Sequence, residues 1–176
     1  MEDYLRELVT STFSPDQRAA LAVRRADQDR TADAIEQLAS ALVAAASGRA
    51  AVWQRNVADA LETLDRAVTA ESRSNGDVDS LLSDIARTQP RLRGRVRSVR
   101  HHYARISDQL KRALQTLTGG DDLGVAETRM HLNDLISAVQ LVRGRESDLI
   151  YEAYFDAFDG DVEEELGAHV RPLPSR

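Results

Sequence analysis

The sequence predicts an all-α protein, an antiparallel up-down-up-down four-helix bundle, and three observations carry that expectation. Apolar residues recur at helical spacing in four long stretches, no stretch alternates as a strand would, and short Gly- or Pro-containing connections separate one stretch from the next. Short connections make consecutive helices antiparallel neighbours.

Taken in order, residues 1–13 read as a short extra N-terminal helix, with Tyr4, Leu5 and Leu8 on one side. Ser14-Pro15-Asp16-Gln17 then starts the first long helix: Ser as cap, Pro at the first helical position, and Gln where a capping box needs it. That helix is expected to run to about Ser47 and to end at Gly48. Its inward stripe is Leu21, Gln28, Ile35 and Leu42 with Thr31, Leu38 and Ala45, so a glutamine interrupts an apolar face. The second helix, from about Ala50, carries Trp53, Val57, Leu61, Leu64 and Val68, and the same spacing continues onto Glu71 and Asn75. Arg73-Ser-Asn-Gly-Asp77 is expected to weaken or break it. Val78, Leu81, Leu82 and Ile85 form a short amphipathic segment before Pro90. The third long helix has regular heptads, from Leu92, Val96, Val99 and Tyr103 to Leu117, and stops at Gly119-Gly120. The fourth carries Leu132, Leu135, Ile136, Val139 and Val142, then Glu146, Leu149, Ile150 and Ala153. Residues 1–158 make one bundle domain, and 159–176, rich in Asp and Glu, read as an acidic C-terminal tail.

A chain of 176 residues is long enough to bury a core without covalent staples. Its net charge of −6 gives no global attraction to nucleic acid. The basic run Arg91, Arg93, Arg95, Arg97, Arg100 lacks aromatic interleaving, so it reads as a solvated face answered by the acidic 156–165 stretch. There is no cysteine, which excludes disulfides and thiolate chemistry and leaves any metal to His, Asp and Glu. No run is long and apolar enough for a membrane span, and no export signal is visible, so a cytoplasmic protein is expected. Phosphate loops, Ser-His-Asp arrangements and HExxH spacing are all missing.

The polar residues on inward stripes lie at similar heights. Gln28 is 20 residues before Gly48 and Glu71 is 23 after it; His102 is 17 before Gly119 and Arg143 is 24 after it. At the helical rise these offsets differ by only about 5 to 10 Å. Gln28, Glu71, His102, Tyr103, Arg143 and Asp148 are therefore the candidate site, a polar layer within an apolar core. Buried polar groups need partners, a ligand or water, and a Glu71–Arg143 ion pair resolves the layer most simply.

Several segments resemble the hemerythrin-like (HHE) family: Ala26-Asp-Gln-Asp-Arg30, Trp53 to Leu64 followed by Ser80-Leu-Leu, the helix with His101-His102, and above all Asp148-Leu-Ile-Tyr-Glu-Ala-Tyr154. The resemblance implies a four-helix bundle in which histidines and two carboxylates hold two irons that bind O₂ or related small molecules. Carried onto this chain, it puts Gln28 where the first helix has its histidine and Glu71 or Ser72 where the second has one. The partner carboxylate falls near Asn75 or Gly76, and Arg143 replaces the fourth helix's histidine while Asp148 is kept. What remains is His102, Glu71 and Asp148, too few for an ordinary di-iron centre, with a guanidinium where a cation would sit. The expectation is thus a bundle that has lost its metals and binds a protein partner or small molecule, with no cofactor. The alternative is a non-haem iron or manganese enzyme or O₂/NO sensor using His102, Glu71 and Asp148. Self-association through the Ala-rich face of the first helix is open.

Overall fold

The computed structural model describes residues 13–44, 50–119 and 124–154. Their architecture is all-helical: α1 (Pro15–Val43), α2 (Ala50–Gly76), the short α3 (Leu81–Thr88), α4 (Arg93–Thr118) and α5 (Val125–Tyr154), with a single 3₁₀ turn, Pro90–Leu92, before α4. The expected N-terminal helix, apart from Phe13, and the acidic tail lie outside the described residues.

The start of α1 follows from its sequence. Ser14 Oγ accepts from the Gln17 amide at 3.2 Å and the Gln17 side chain accepts from the Ser14 amide at 2.9 Å, so two orphan amides of the first turn are satisfied reciprocally. The helix ends at Val43, short of the expected Ser47, and Gly48 lies outside the described residues.

The expected break comes only at the end of its segment. Helix α2 continues through Arg73-Ser-Asn-Gly76, and only then does a turn at Asp77 lead to Ser80, the N-cap of α3. Asn75 explains the extension. Its side chain is buried and donates to Glu146, while its carbonyl accepts from the Arg100 guanidinium at 2.9 and 3.1 Å. Tertiary partners thereby hold the last turn of a segment whose propensity is poor.

Buried apolar residues from every helix form one cluster, including Leu38 and Leu42 of α1, Val57, Leu61 and Leu64 of α2, Leu82 and Ile85 of α3, Leu110 of α4, and Leu132 and Leu149 of α5. Each large side chain removed from water contributes about 1.5–3 kcal/mol before entropy is counted. Trp53 is buried with the Arg129 guanidinium over its ring at 5.5 Å, and Arg129 also donates to the Leu42 and Ala44 carbonyls. At the other end Phe13 packs on Tyr154, centroids 4.9 Å apart. The basic run on α4 is largely engaged: Arg91 and Arg95 pair with Glu152 of α5, Arg93 donates to the Ala86 carbonyl, and Arg100 to Asn75 and Ser83. The 156–165 stretch that was expected to answer it lies outside the described residues. Among the described residues no helix is long and apolar enough to cross a membrane.

Gly144 lies in the interior of α5 on its exposed side, and a Cβ built there meets nothing within 4 Å. Gly144→Ala is expected to stabilise the fold by about 0.5–1 kcal/mol, read as a higher denaturant midpoint at unchanged slope.

Candidate functional site: a carboxylate pair bridged by one hydroxyl

The apolar stripes of α2 and α5 each run into a glutamate. Val57, Leu61, Leu64 and Val68 lead at three- and four-residue steps to Glu71, and Leu135, Val139 and Val142 lead to Glu146, so both carboxylates enter the core on positions that neighbouring turns fill with aliphatic side chains. They are 2% and 0% exposed. Burying two carboxylates is tolerable only if their oxygens find donors.

All four oxygens do. Tyr103 of α4, fully buried, places its hydroxyl 3.0 Å from Glu71 Oε1 and 2.6 Å from Glu146 Oε2. Thr31 of α1 donates to Glu71 Oε2 at 2.7 Å, and Arg24 of α1 donates through Nε to Glu146 Oε1 at 2.9 Å. Asn75 Nδ2 adds a longer contact of 3.3 Å to Glu146 Oε2. Arg143 of α5 approaches Glu71 Oε1 to 3.6 Å, beyond hydrogen-bond length, and anchors itself by donating to the Gln28 carbonyl at 2.6 Å.

A phenol carries one proton, so one hydroxyl cannot donate to two carboxylates at once. The shorter contact identifies Glu146 as its acceptor, and the contact to Glu71 is satisfied when Glu71 keeps its own proton and donates to the Tyr103 oxygen. The electrostatics point the same way. Burial raises the Glu71 pKa and the nearby Glu146 charge adds to the rise, offsetting the opposing effects of the Thr31 hydrogen bond and Arg143. Burial, then the two carboxylates, also push the Tyr103 pKa far above its ordinary value, so the hydroxyl remains a hydroxyl. The two glutamates are therefore unlike in their surroundings: Glu146 takes the shorter Tyr103 contact and pairs with Arg24, and Glu71 takes the longer one and has its pKa raised by burial.

The expected layer is corrected in three places. Gln28 is half-buried and contributes only its backbone carbonyl; the inward position belongs to Asp27, 2% exposed, one of whose oxygens pairs with Arg30. Asp148 faces solvent, because two helical residues turn through about 200° and Glu146 takes the inward side. His102 is half-buried but turned away from the carboxylates: Nδ1 lies 2.7 Å from the Ser98 carbonyl and Nε2 3.4 Å from Arg145 Nη1. Glu71, Tyr103 and Arg143 do meet, and they are joined by Glu146, Arg24, Thr31 and Asn75, which sequence reasoning left out of the site. Glu146 had a visible signal, its place on the inward stripe. Arg24 had none, because it reaches Glu146 across the helix interface from a half-buried position.

The residues present do not fit a di-iron centre. Every carboxylate oxygen is already hydrogen-bonded within the protein, and guanidinium groups stand beside both glutamates where a cation would be repelled. His102 and Asp148 do not converge with Glu71, and among the described residues no group of three or more His, Asp or Glu is arranged to hold a metal ion.

The layer reaches the surface along one edge. Arg24 and Asn75 line a groove of about 410 Å³ between the first half of α1 and the turn that joins α2 to α3. Comparison with protein-family models, with characterised proteins and with solved structures finds no match to this chain.

The unlike glutamates give opposite mutational outcomes. Glu71→Gln reproduces the hydrogen bonds of the protonated acid, accepting from Thr31 and donating to Tyr103, and is expected to escape the cost of ionising Glu71 in the core. A pKa raised by folding supplies stability that is full below the unfolded value and is lost as pH rises through the folded value. Denaturation measured from acid to neutral pH should therefore show the stability gap in favour of Glu71→Gln widening as pH rises. Glu146→Gln strands Arg24, whose side chain is 14% exposed, and is expected to cost about 3–5 kcal/mol at neutral pH.

Proposed function

We propose that the chain is an antiparallel up-down-up-down four-helix bundle, hemerythrin-like in plan, that works as a non-catalytic binding or interaction protein with a metal-free core. The topology is supported by contacts whose numbers fall on one helix as they rise on the other: Arg24 with Glu146 and Leu42 with Arg129 across α1 and α5, and Glu71 with Tyr103 and Asn75 with Arg100 across α2 and α4. The observation that carries the functional reading is the saturation of the carboxylate pair. A catalytic or gas-binding metal centre needs free donor atoms and an open position. Here arginine, tyrosine, threonine and asparagine occupy the acceptors, so the core serves to hold the helices in register and to present Arg24 and Asn75 at the groove.

The reading takes the protein as cytoplasmic, with a small molecule or another protein as its partner and self-association left open. Catalysis is not required of it: the Thr31 and Tyr103 hydroxyls that lie against the carboxylates are fully buried, and Arg24 is committed to Glu146 and Ser147.

Metal analysis of the purified chain after anaerobic incubation with ferrous iron, followed by desalting, tests this. Iron far below one per chain and an unchanged melting temperature are expected. Two tightly retained irons, with a melting temperature raised by them, would overturn the reading.

A further inference from the structure

Arg143 of α5 enters the carboxylate layer with one donor used and one idle. Its Nη2 donates to the Gln28 carbonyl of α1 at 2.6 Å, whereas its Nε is buried and makes no hydrogen bond among the described residues. Glu71 Oε1 stands 3.6 Å from that nitrogen, too far for a hydrogen bond. A buried donor without an acceptor is destabilising, so its presence here calls for a cause.

The protons available to Glu71 Oε1 supply one. That oxygen lies 3.0 Å from the Tyr103 hydroxyl, whose single proton goes to Glu146 Oε2 at 2.6 Å. While Glu71 carries a proton on Oε1, it is itself the donor to Tyr103 and has no need of Arg143. Once that proton leaves, Oε1 is a charged acceptor facing a phenol oxygen with nothing left to donate, and the idle N–H of Arg143 is the donor at hand. Loss of one proton thus creates one acceptor for one orphaned donor.

The movement needed to bring 3.6 Å to ordinary hydrogen-bond length is under about 1 Å. A guanidinium is planar and rigid, so a shift of Nε carries Nη2 with it and alters the bond to Gln28. We infer that Arg143 is a proton-operated latch, resting on the Gln28 carbonyl of α1 while Glu71 is protonated and closing on Glu71 of α2 when that carboxyl ionises. The hold of α5 on α1 then responds to pH. This goes beyond the binding-protein reading and does not depend on what the protein binds.

The other charged groups around Glu71 are already committed. From α1, Thr31 donates to the second Glu71 oxygen, Arg24 is held by Glu146 and Ser147, and buried Asp27 pairs with Arg30. From α4, Arg100 is used on the Asn75 carbonyl and Ser83, and on α2 itself the Asn75 side chain turns to Glu146. The Asp84 and Arg87 side chains of α3 pair with each other. From α5, Glu146 opposes ionisation of Glu71 and Arg143 favours it, and burial, the largest influence, opposes it, so the step falls above the ordinary glutamate range.

The test is an NMR titration of the full chain from acid to mildly alkaline pH, following three signals assigned through the backbone: the Glu71 carboxyl carbon, the Arg143 Nε–H and the Gln28 carbonyl carbon. As pH rises, the Arg143 Nε–H is expected to move downfield and to gain protection from exchange relative to the exposed arginines. Its midpoint should be that of the Glu71 carboxyl, and the Gln28 carbonyl should shift at the same midpoint. In Glu71→Gln, whose side chain cannot ionise, the Arg143 and Gln28 signals should keep their low-pH positions throughout. An arginine that merely props the seam would show no step. That outcome, a step whose midpoint departs from that of Glu71, or a step that survives in Glu71→Gln would each overturn the inference. Should the variant fail to fold, the three midpoints in the parent chain decide it alone.

Discussion

One proton on one hydroxyl constrains the centre of this molecule. Tyr103 sits between two buried glutamates from different helices and can donate to only one of them. The other carboxyl must bring its own proton or leave a repulsive contact in a medium of low dielectric. The remaining features of the layer follow from that asymmetry. Glu146, which receives the tyrosine proton, is the one matched with Arg24, and Glu71, whose pKa burial raises, has a threonine as its closest other partner and its arginine at a looser distance.

The same network ties four helices together at one height. Thr31 and Arg24 belong to α1, Glu71 and Asn75 to α2, Tyr103 to α4, and Glu146 and Arg143 to α5. Aliphatic packing alone tolerates a slip of one helix by a turn, because leucine stripes resemble themselves one heptad along. A chain of directional bonds does not tolerate it, since a slip would strand at least one buried carboxylate. The layer therefore contributes specificity of register more than net stability, which is what buried ionic groups supply where their role is structural. It also anchors the end of α2, where Asn75 is held by Glu146 and Arg100, and so shapes the turn that forms one wall of the groove.

The helices were legible because burial of aliphatic side chains at three- and four-residue steps is a local property of the sequence. Ser14-Pro15-Asp16-Gln17 announced the start of α1 by chemistry that operates within one turn. The continuation of α2 through Ser74-Asn75-Gly76 was hidden because its cause is tertiary, a guanidinium from α4 and a carboxylate from α5. For the site, Glu71 was found from its stripe and Tyr103 from its heptad. Asp148 was preferred to Glu146 because the family resemblance pointed to an aspartate, although the stripe through Val139 and Val142 pointed to Glu146. Gln28 was placed inward in place of Asp27 because the seven-residue reading of α1 drifts from the true 3.6-residue period. Thr31 stood on the inward stripe of α1, whereas Arg24 enters the layer through side-chain reach across helices, which no single-helix periodicity encodes.

The account stands on Glu71 holding its proton more tightly than an ordinary glutamate does. The direct measurement is carbon-detected NMR of the glutamate side-chain carboxyls as pH is raised from acid to above neutral, with Glu71→Gln used to assign the Glu71 signal. The account predicts a Glu71 carboxyl that titrates above the ordinary glutamate range, in keeping with its raised pKa. A Glu71 signal that titrates at or below that range would contradict the division of roles on which the layer has been explained.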